Sequence, residues 1–208
     1  MSKITIIGAG SVMFTRQIVS ALLSYPAMAG TELVLMDLNP EVLAQSHRLI
    51  TMMVAQSGLP MQVSQTTSQR DAIRHADFVI SAIQVGGLAP WKLDMAIPAK
   101  YGVIQEVGDT MGPGGIFRAL RHIPPMLAIL RDMEELCPNA IFINYANPLA
   151  PLTWAAKEAS TIQSIGLCYG VRYTVAGEHD DKGAVAVSID VRGSMTQPVN
   201  VIVHNQSL

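Results

Sequence analysis

The stretch KITIIGAGS at residues 3–11 decides the fold of this chain. Its first part is a mostly apolar run that predicts a buried strand, and the glycines that follow predict a tight turn. The next residues predict a helix over 11–24 and a second strand over 32–37, which ends on Asp37. A strand, a glycine turn, a helix and a strand with an acid at its tip are typical of a unit that binds a dinucleotide.

Five residues of this unit are predicted to contact the dinucleotide. Gly8 permits the sharp turn, and Gly10 lets the backbone approach a pyrophosphate. Ser11 and Val12 open the helix, whose free N–H groups attract an anion. Asp37 can accept hydrogen bonds from a ribose 2′-OH and would repel a 2′-phosphate, so the unit favours NAD over NADP.

The unit departs from the common fingerprint in two ways. The position of the third glycine is taken by Met13, which predicts a looser contact between helix and strand. Asp37 lies 37 − 8 = 29 residues after Gly8, whereas about 20 residues usually separate the motif from the acid. A glycine turn in a βαβ unit that binds no nucleotide is the alternative interpretation.

Composition limits the class of protein. The chain has 208 residues, half of them hydrophobic and only 14% charged, which predicts one α/β domain with a sizeable core and a small appendage. The net charge of −2 and the lack of a basic patch or a long apolar run predict neither nucleic acid nor a membrane as a partner. Cys137 and Cys168, without a signal segment, predict free thiols in the cytoplasm.

The strand and helix patterns alternate, which predicts a doubly wound, Rossmann-like, mostly parallel sheet. Most strand patterns are short apolar runs, as expected for a sheet covered on both faces. The strands are predicted at 3–7, 32–37, 61–64, 77–83, 140–144 and 163–168, and the helices at 11–24, 40–57, 68–75, 116–136 and 149–160. Pro124 and Pro125 are expected to break or kink the fourth helix.

The pattern changes after about residue 171. Apolar and polar residues alternate on either side of a turn, which predicts an antiparallel hairpin over 184–204 that extends the sheet or mediates self-association. We therefore divide the chain into an NAD-binding Rossmann-like domain at 1–171 and a hairpin appendage at 172–208.

Ligands of doubly wound sheets bind beyond the carboxyl ends of the strands. Besides the first turn, the stretch SAIQVGG at 81–87 and the stretch NYANP at 144–148 follow predicted strands there. The double glycine permits close backbone approach, and the amides suit sugar hydroxyls or the nicotinamide ribose. The stretch GLCY at 166–169 places a thiol at a strand end, and the glycine-rich loop at 108–115 could close as a lid or bind an anion.

Each of these features also has a plain structural interpretation. The Asn-x-x-Asn-Pro pattern can be a capped turn, Cys168 a small buried thiol and Asp109 a turn cap. His47, His75 and His122 lie in helical patterns and are predicted to be surface residues.

Taken together, these segments resemble glycoside hydrolase family 4, whose members depend on NAD and a divalent metal. The resemblance covers about residues 1–171 and is most specific at GDTMGPGGIFRALR, residues 108–121. It is strongest to the α-galactosidase branch, with α-glucosidase and α-galacturonidase relatives close behind. The other matching motifs are GAGS at 8–11, MD at 36–37, ADFV at 76–79, QVGG at 84–87, NYANP at 144–148 and GLC at 166–168.

The resemblance implies a reaction unlike that of glycosidases with two carboxylates. In the family, NAD⁺ takes a hydride from C3 of the sugar, and a base removes the acidified C2 proton. Mn²⁺ or another divalent metal holds the C2 and C3 oxygens. The glycosidic bond leaves by elimination, water adds, and the hydride returns, so NAD is recycled.

The resemblance also implies roles for individual residues. Cys168 is the thiolate ligand of the metal, and His179 lies one position from where an ungapped match places the metal histidine. Asp109 belongs to the substrate loop, and Tyr169 and Tyr173 are candidates for the base, as is His179. Family members are about twice as long, and their second half supplies the catalytic tyrosine.

Further residues are assigned to the cofactor and the sugar. Gln84 and Asn144 are expected to contact the cofactor, and Asn147 is expected to contact substrate hydroxyls. The segment at 88–92 lacks the arginine by which phospho-sugar members bind phosphate, so an unphosphorylated sugar is favoured, with Trp91 as a stacking platform.

Three interpretations of the whole chain remain open. The first is an α-galactosidase-like glycosidase, expected to be a homo-oligomer. The second is a truncated NAD-binding module without catalysis. The third is an NAD-dependent hydroxyacid dehydrogenase, since such enzymes share this sheet.

Overall fold

The structure is a computed structural model that describes residues 2–105 and 112–167, together with the backbone of two strands at 186–189 and 201–204. A sheet of six parallel strands forms its centre, in the order β3-β2-β1-β4-β5-β6. The strands are β1 Lys3–Ile7, β2 Glu32–Met36, β3 Gln62–Thr66, β4 Phe78–Ser81, β5 Ile141–Asn144 and β6 Ser164–Gly166. This order confirms the predicted doubly wound fold.

Burial along the strands explains why they form the centre. In β1 and β2 the last four residues are buried, as expected for parallel strands with helices on both faces. By contrast, β3 reads QVSQT and is largely exposed, which suits the edge of the sheet. The buried strand β1 lies inside the sheet, where it pairs in parallel with β2 on one side and with β4 on the other.

The helices cover both faces of the sheet. One hydrophobic core joins α1 and α2 to side chains such as Ile6 and Leu33, and the other joins α3, α5 and α6 to side chains such as Val79 and Phe142. The helices are α1 Val12–Leu23, α2 Pro40–Ser57, α3 Gln69–Ile73, α4 Leu88–Ala99, α5 Gly112–Leu136 and α6 Leu149–Ala159, with a short 3₁₀ turn at Pro26–Met28.

The contact between α1 and the sheet differs from the prediction. Met13 is 63% exposed, so its side chain points to solvent and does not separate helix from strand. Thr15 and Val19 are the buried residues of α1. The Thr15 hydroxyl donates to the carbonyl of Ala9 at 2.9 Å, which ties the helix to the glycine turn.

Two helices differ from the sequence analysis. Pro124 and Pro125 do not break α5, which runs without interruption through both, while the kink that was the alternative stays a prediction. They only remove the hydrogen bonds that the carbonyls of Leu120 and Arg121 would otherwise accept. The second half of α5 packs its buried side chains, Met126, Ile129, Leu130 and Met133, into the core on one face of the sheet. The sequence analysis also missed α4, which the structure places directly after the double glycine.

The strands β7 Ala186–Ile189 and β8 Val201–His204 pair antiparallel, with Ala186 opposite His204. The hairpin predicted over 184–204 and the domain boundary near residue 171 both stay predictions. Within residues 2–105 and 112–167, no helix has both the length and the apolar character needed to cross a membrane.

Candidate functional site

Four loops meet at the carboxyl edge of the sheet. They follow β1, β2, β4 and β5, which are neighbours in the order β2-β1-β4-β5. The chain reverses direction across the sheet between β1 and β4, and a crevice opens at such a switch point in doubly wound folds. The residues predicted to contact cofactor and substrate in these loops therefore lie in one region.

The turn after β1 is packed tightly against both neighbouring strands. Gly8 has φ +84°, and a Cβ on it would lie 2.7 Å from the backbone carbonyl of Ala82, just after β4. The N–H groups of Gly8 and Ala9 both donate to the carbonyl of Met36 at 2.9 Å. Glycine at position 8 is therefore needed for the backbone conformation and for the approach of the next loop.

Asp37 is joined to this turn through its carboxylate. Its Oδ2 accepts the N–H of Gly10 at 2.8 Å, and its Oδ1 accepts the N–H of Asn39 at 2.9 Å. A Cβ on Gly10 would lie 2.6 Å from Oδ2 and from Cγ2 of Val42, so glycine makes room for the carboxylate itself. Each oxygen keeps a further lone pair that a ribose hydroxyl could use.

The helix α1 begins next to this carboxylate. Ser11 is its N-cap and makes no side-chain capping hydrogen bond, and Val12 is its first residue. The first N–H groups of a helix have no partner within the helix. The N–H groups of Ser11 and Val12 donate to the carbonyls of Gly8 and Gly10 at 3.1 Å and 2.9 Å. The donors that an anion could use at this edge, next to the Asp37 acceptor, therefore belong to the residues that follow Val12 in the first turn of α1.

His122 lies beneath the loop after β4 and is completely buried. Its Nε2 accepts the N–H of Val85 at 3.1 Å, and its Nδ1 lies 2.8 Å from the carbonyl of Arg118. Because a backbone N–H can only donate, Nε2 must be unprotonated, and Nδ1 carries the hydrogen. The prediction of a surface histidine was wrong: the spacing of His122 from Ala119 and Met126 on the buried face of α5 already indicated a core position.

The pKa of His122 lies below its ordinary value, chiefly because burial penalises the imidazolium. The charges of Arg118 and Arg121 lower this pKa further, while the Arg118 carbonyl and Asp94 act in the opposite direction. The neutral ring required by the hydrogen bond to Val85 is thus also the ring favoured by its surroundings.

Arg118 connects the loop after β4 to the loop after β5. Its Nη2 donates to Oε1 of Gln84 at 2.6 Å, and its Nε donates to the carbonyl of Asn147 at 3.2 Å. The sequence analysis gave Arg118 no role, because its two acceptors lie on loops that are distant in sequence.

The loop after β5 is shaped by Asn144, which is 2% exposed. Its Oδ1 accepts the N–H of Ala146 at 3.1 Å, and its Nδ2 donates to the Ala146 carbonyl at 3.0 Å. The amide of Asn144 therefore stabilises the loop. Asn147 follows Ala146 in this loop, at the carboxyl edge of the sheet, and is half-buried.

Trp91 lies half-buried on α4, close to the double glycine in sequence. The helix that carries it is held to α5 by Asp94, whose carboxylate is a two-point acceptor for the guanidinium of Arg121. The Asp94 side chain is only 5% exposed, so this pair is largely removed from water. The ion pair thus joins the helix that carries Trp91 to α5.

The predicted catalytic and metal-binding residues lie outside the described part of the chain. They are Asp109, Tyr169, Tyr173, Cys168 and His179. Among residues 2–105 and 112–167, no three His, Cys, Asp or Glu side chains come together as a metal site. The described loops thus hold the residues predicted for the cofactor and two predicted for the sugar, Trp91 and Asn147.

The chain is similar to known proteins in sequence and in fold. Residues 3–178 match the family described as Family 4 glycosyl hydrolase. An α-galactosidase of Rhizobium meliloti (strain 1021) is 43% identical over 172 residues, and one of Bacillus subtilis (strain 168) is 41% identical over 173 residues. A 6-phospho-α-glucosidase from gut microorganisms, solved in complex with NAD and glucose-6-phosphate, is 26% identical with a TM-score of 0.75.

The matched regions differ in their share of each protein. They cover 82% and 83% of this chain but only 35% and 40% of the two α-galactosidases. For the 6-phospho-α-glucosidase the shares are 87% and 42%. The chain therefore spans well under half the length of these relatives.

Proposed function

The chain belongs to family 4 of the glycosyl hydrolases, and we propose that it serves NAD-dependent cleavage of unphosphorylated α-galactosides or related glycosides. The observation that carries the proposal is the Asp37 carboxylate bound to the N–H of Gly10 at 2.8 Å. This carboxylate lies beside a glycine turn and a helix start, a combination that supports NAD binding because the carboxylate can accept hydrogen bonds from ribose hydroxyls.

The described residues fit NAD in three respects. The close approach of backbone at Gly8 and Gly10 leaves no room for a Cβ at either position. The first turn of α1 offers N–H donors for a pyrophosphate, and Gln84 lies after β4. When bound, NAD would supply the hydride acceptor for C3 of the sugar. The 6-phospho-α-glucosidase with the same fold was solved with NAD, which supports the assignment.

The sugar is proposed to bind between Trp91 and Asn147. The half-buried indole offers an apolar face on which a sugar ring can stack, and the Asn147 amide can hydrogen-bond to hydroxyls. The segment at 88–92 contains no arginine for a phosphate. The two α-galactosidase relatives support an unphosphorylated galactoside. Asn144 is proposed to act by holding the loop that carries Asn147.

The metal and the acid–base groups are proposed from the family resemblance alone. Cys168 and His179 would hold Mn²⁺ or another divalent metal, and thiolate with imidazole is a donor set that transition metals accept. Asp109, Tyr169 and Tyr173 would handle protons at the sugar.

The truncated, non-catalytic module remains the second candidate. Such a module would consist of the loops assigned to NAD, which lie together at the carboxyl edge of the sheet. In that case the NAD site would persist without turnover. The hydroxyacid dehydrogenase is not proposed, because the matched family is one of glycosidases.

Self-association is proposed through the outer faces of α4 and α5. Leu93 and Leu120 are 58% and 63% exposed, and with Ile97 and Phe117 they line one open groove. Exposed apolar surface of this kind is common at interfaces between subunits. A cytoplasmic location is proposed from the cysteines, of which Cys137 is buried as a free thiol.

Hydrolysis of nitrophenyl α-galactoside tests the proposal. The assay is run with NAD⁺ and Mn²⁺ together and with each omitted, and in parallel with the 6-phosphorylated galactoside. Cleavage that requires both cofactors and prefers the unphosphorylated substrate supports the proposed enzyme. Absence of cleavage, with NAD⁺ still raising the melting temperature, identifies the non-catalytic module. Absence of any NAD⁺ effect contradicts both candidates.

A further inference from the structure

One helical turn of α5 touches both loops of the candidate site. The Arg118 guanidinium reaches Gln84 after β4 and the Asn147 carbonyl after β5. The Arg118 carbonyl in turn meets the ring of His122, whose opposite nitrogen accepts the Val85 N–H. A continuous set of hydrogen bonds thus runs from one loop through α5 to the other.

We infer that Arg118 and His122 are positioning residues that fix the loop after β4 relative to the loop after β5. The inference rests on the proposed function, since these are the loops assigned to cofactor and sugar. Neither residue is required to touch either ligand. Their effect would be to hold Gln84 and Val85 at a set distance from Asn147.

The shape of the arginine side chain suits this task. Nε and Nη2 are fixed in one plane, so a single rigid group serves two acceptors on different loops at 3.2 Å and 2.6 Å. Lysine presents one compact ammonium on a flexible stem and cannot hold two acceptors with the same fixed separation. Arg118→Lys therefore keeps the charge and removes the connection.

The histidine suits its task because it is buried and neutral. Its completely buried ring gives the N–H of the half-buried Val85 an acceptor at 3.1 Å. An apolar side chain of similar size leaves that N–H without this acceptor, so the hydrogen bond that holds the loop is lost. Glutamine can place an acceptor oxygen near the position of Nε2, so His122→Gln should retain part of the function.

The position of the loop after β4 also affects the glycine turn, because the two are in close contact. Ala82 approaches Gly8 so closely that a Cβ on Gly8 would lie 2.7 Å from the Ala82 backbone. A shift of residues 82–87 therefore disturbs the turn that is proposed to bind the pyrophosphate. We expect loss of His122 or Arg118 to weaken NAD binding without direct contact.

Hydrogen exchange measured by mass spectrometry on the 208-residue chain tests the connection without any ligand. His122→Leu should accelerate exchange in peptides covering 82–87, by about tenfold for the loss of one buried hydrogen bond. Arg118→Lys should accelerate exchange in peptides covering 82–87 and in those covering 144–148. Arg131→Lys, on an exposed position of the same helix, is the matched control and should change neither. Unchanged exchange in both variants would overturn the inference.

NAD⁺ affinity measured by calorimetry tests the consequence. His122→Leu should raise the Kd by about tenfold, and His122→Gln should stay within about threefold of the wild type. An equal rise of the Kd in both variants would mean that the acceptor at Nε2 does not matter and that only the shape of the ring does. That result would contradict a positioning role through the hydrogen bond to Val85. If the wild type binds no NAD⁺, the proposed function fails, while the exchange data still decide whether the loops are connected.

Discussion

The N–H of Gly10 donates a hydrogen bond of 2.8 Å to Oδ2 of Asp37, and a Cβ on Gly10 would lie 2.6 Å from that same oxygen. The position of the Asp37 carboxylate and the glycine at position 10 therefore depend on each other. The absence of a side chain at position 10 lets the carboxylate sit against the turn. The carboxylate in turn holds the turn in place from the tip of β2.

Gly10→Ala tests this relationship. The added methyl group would overlap both the Asp37 carboxylate and Val42, and the backbone or the acid must move. We expect a loss of about 1–3 kcal/mol in the free energy of unfolding, as for other overpacked sites, together with weaker NAD⁺ binding. Urea denaturation and calorimetry measure the two effects. Unchanged values of both would show that Asp37 does not need the space.

Asp37→Ala tests the proposed contact between the carboxylate and the ribose. The variant removes the acceptor for the N–H groups of Gly10 and Asn39 and the proposed acceptor for a ribose hydroxyl. NAD⁺ affinity should fall by about 1–3 kcal/mol. The preference for NAD⁺ over NADP⁺ should shrink as well, because the charge that repels a 2′-phosphate is gone. An unchanged ratio of the two affinities would place the ribose elsewhere.

His122 predicts a pH dependence of stability. Its pKa in the folded protein is lowered, mainly by burial, so the unfolded chain binds more protons between that pKa and the ordinary value of 6.5. The free energy of unfolding should therefore fall as the pH drops below about 6.5. Arg118 and Arg121 face the ring and reinforce this effect, whereas Asp94 opposes it.

The measurement for this prediction is urea denaturation between about pH 7 and about pH 5. His122→Gln should have a flatter profile than the wild type over this interval, because its side chain does not titrate. A variant profile as steep as that of the wild type would assign the pH dependence to other groups.

The ion pair between α4 and α5 predicts a large effect of a single substitution. Asp94→Ala leaves the guanidinium of Arg121, whose side chain is 28% exposed, without its two-point partner. We expect a loss of about 3 kcal/mol in the free energy of unfolding, the lower end of the range for breaking buried pairs. The double variant Asp94→Leu with Arg121→Met should be more stable than the single variant, since no charge is left unpaired. A double variant less stable than Asp94→Ala would contradict this account.

The strands could be predicted because the pattern that indicates each strand lies within its own few residues. The apolar run of β1 predicts a strand at 3–7, which is where the structure has it, and the other five strands lie within three residues of their predicted ends. The long separation of Asp37 from Gly8 is also explained, because a 3₁₀ turn at Pro26–Met28 and the loop after it lie between α1 and β2.

The features that were missed depend on tertiary contacts. The helix α4 reads LAPWKLDMAIPA and has apolar residues around its circumference, so it has no one-sided pattern to recognise. His122 fits the apolar spacing of α5, but its polar character suggested the surface. Its acceptor role depends on Val85, which is 37 residues away in sequence and could not be inferred from local pattern.

The two cysteines are expected to differ in their roles, so a substitution of Cys137 is the control for a substitution of Cys168. Cys168→Ser should weaken Mn²⁺ binding by tenfold or more, on the order of the loss expected when a thiolate ligand becomes a hydroxyl, and should leave NAD⁺ affinity nearly unchanged. Cys137 is 6% exposed in the core beneath β5, and burial raises the pKa of its thiol, so it is expected to be an inert core residue. Cys137→Ser should therefore lower the free energy of unfolding and leave Mn²⁺ affinity unchanged.

Electron paramagnetic resonance of free Mn²⁺, with NAD⁺ present, measures the metal affinity. If both variants bind Mn²⁺ as the wild type does, Cys168 is a structural cysteine and the proposed metal site is wrong.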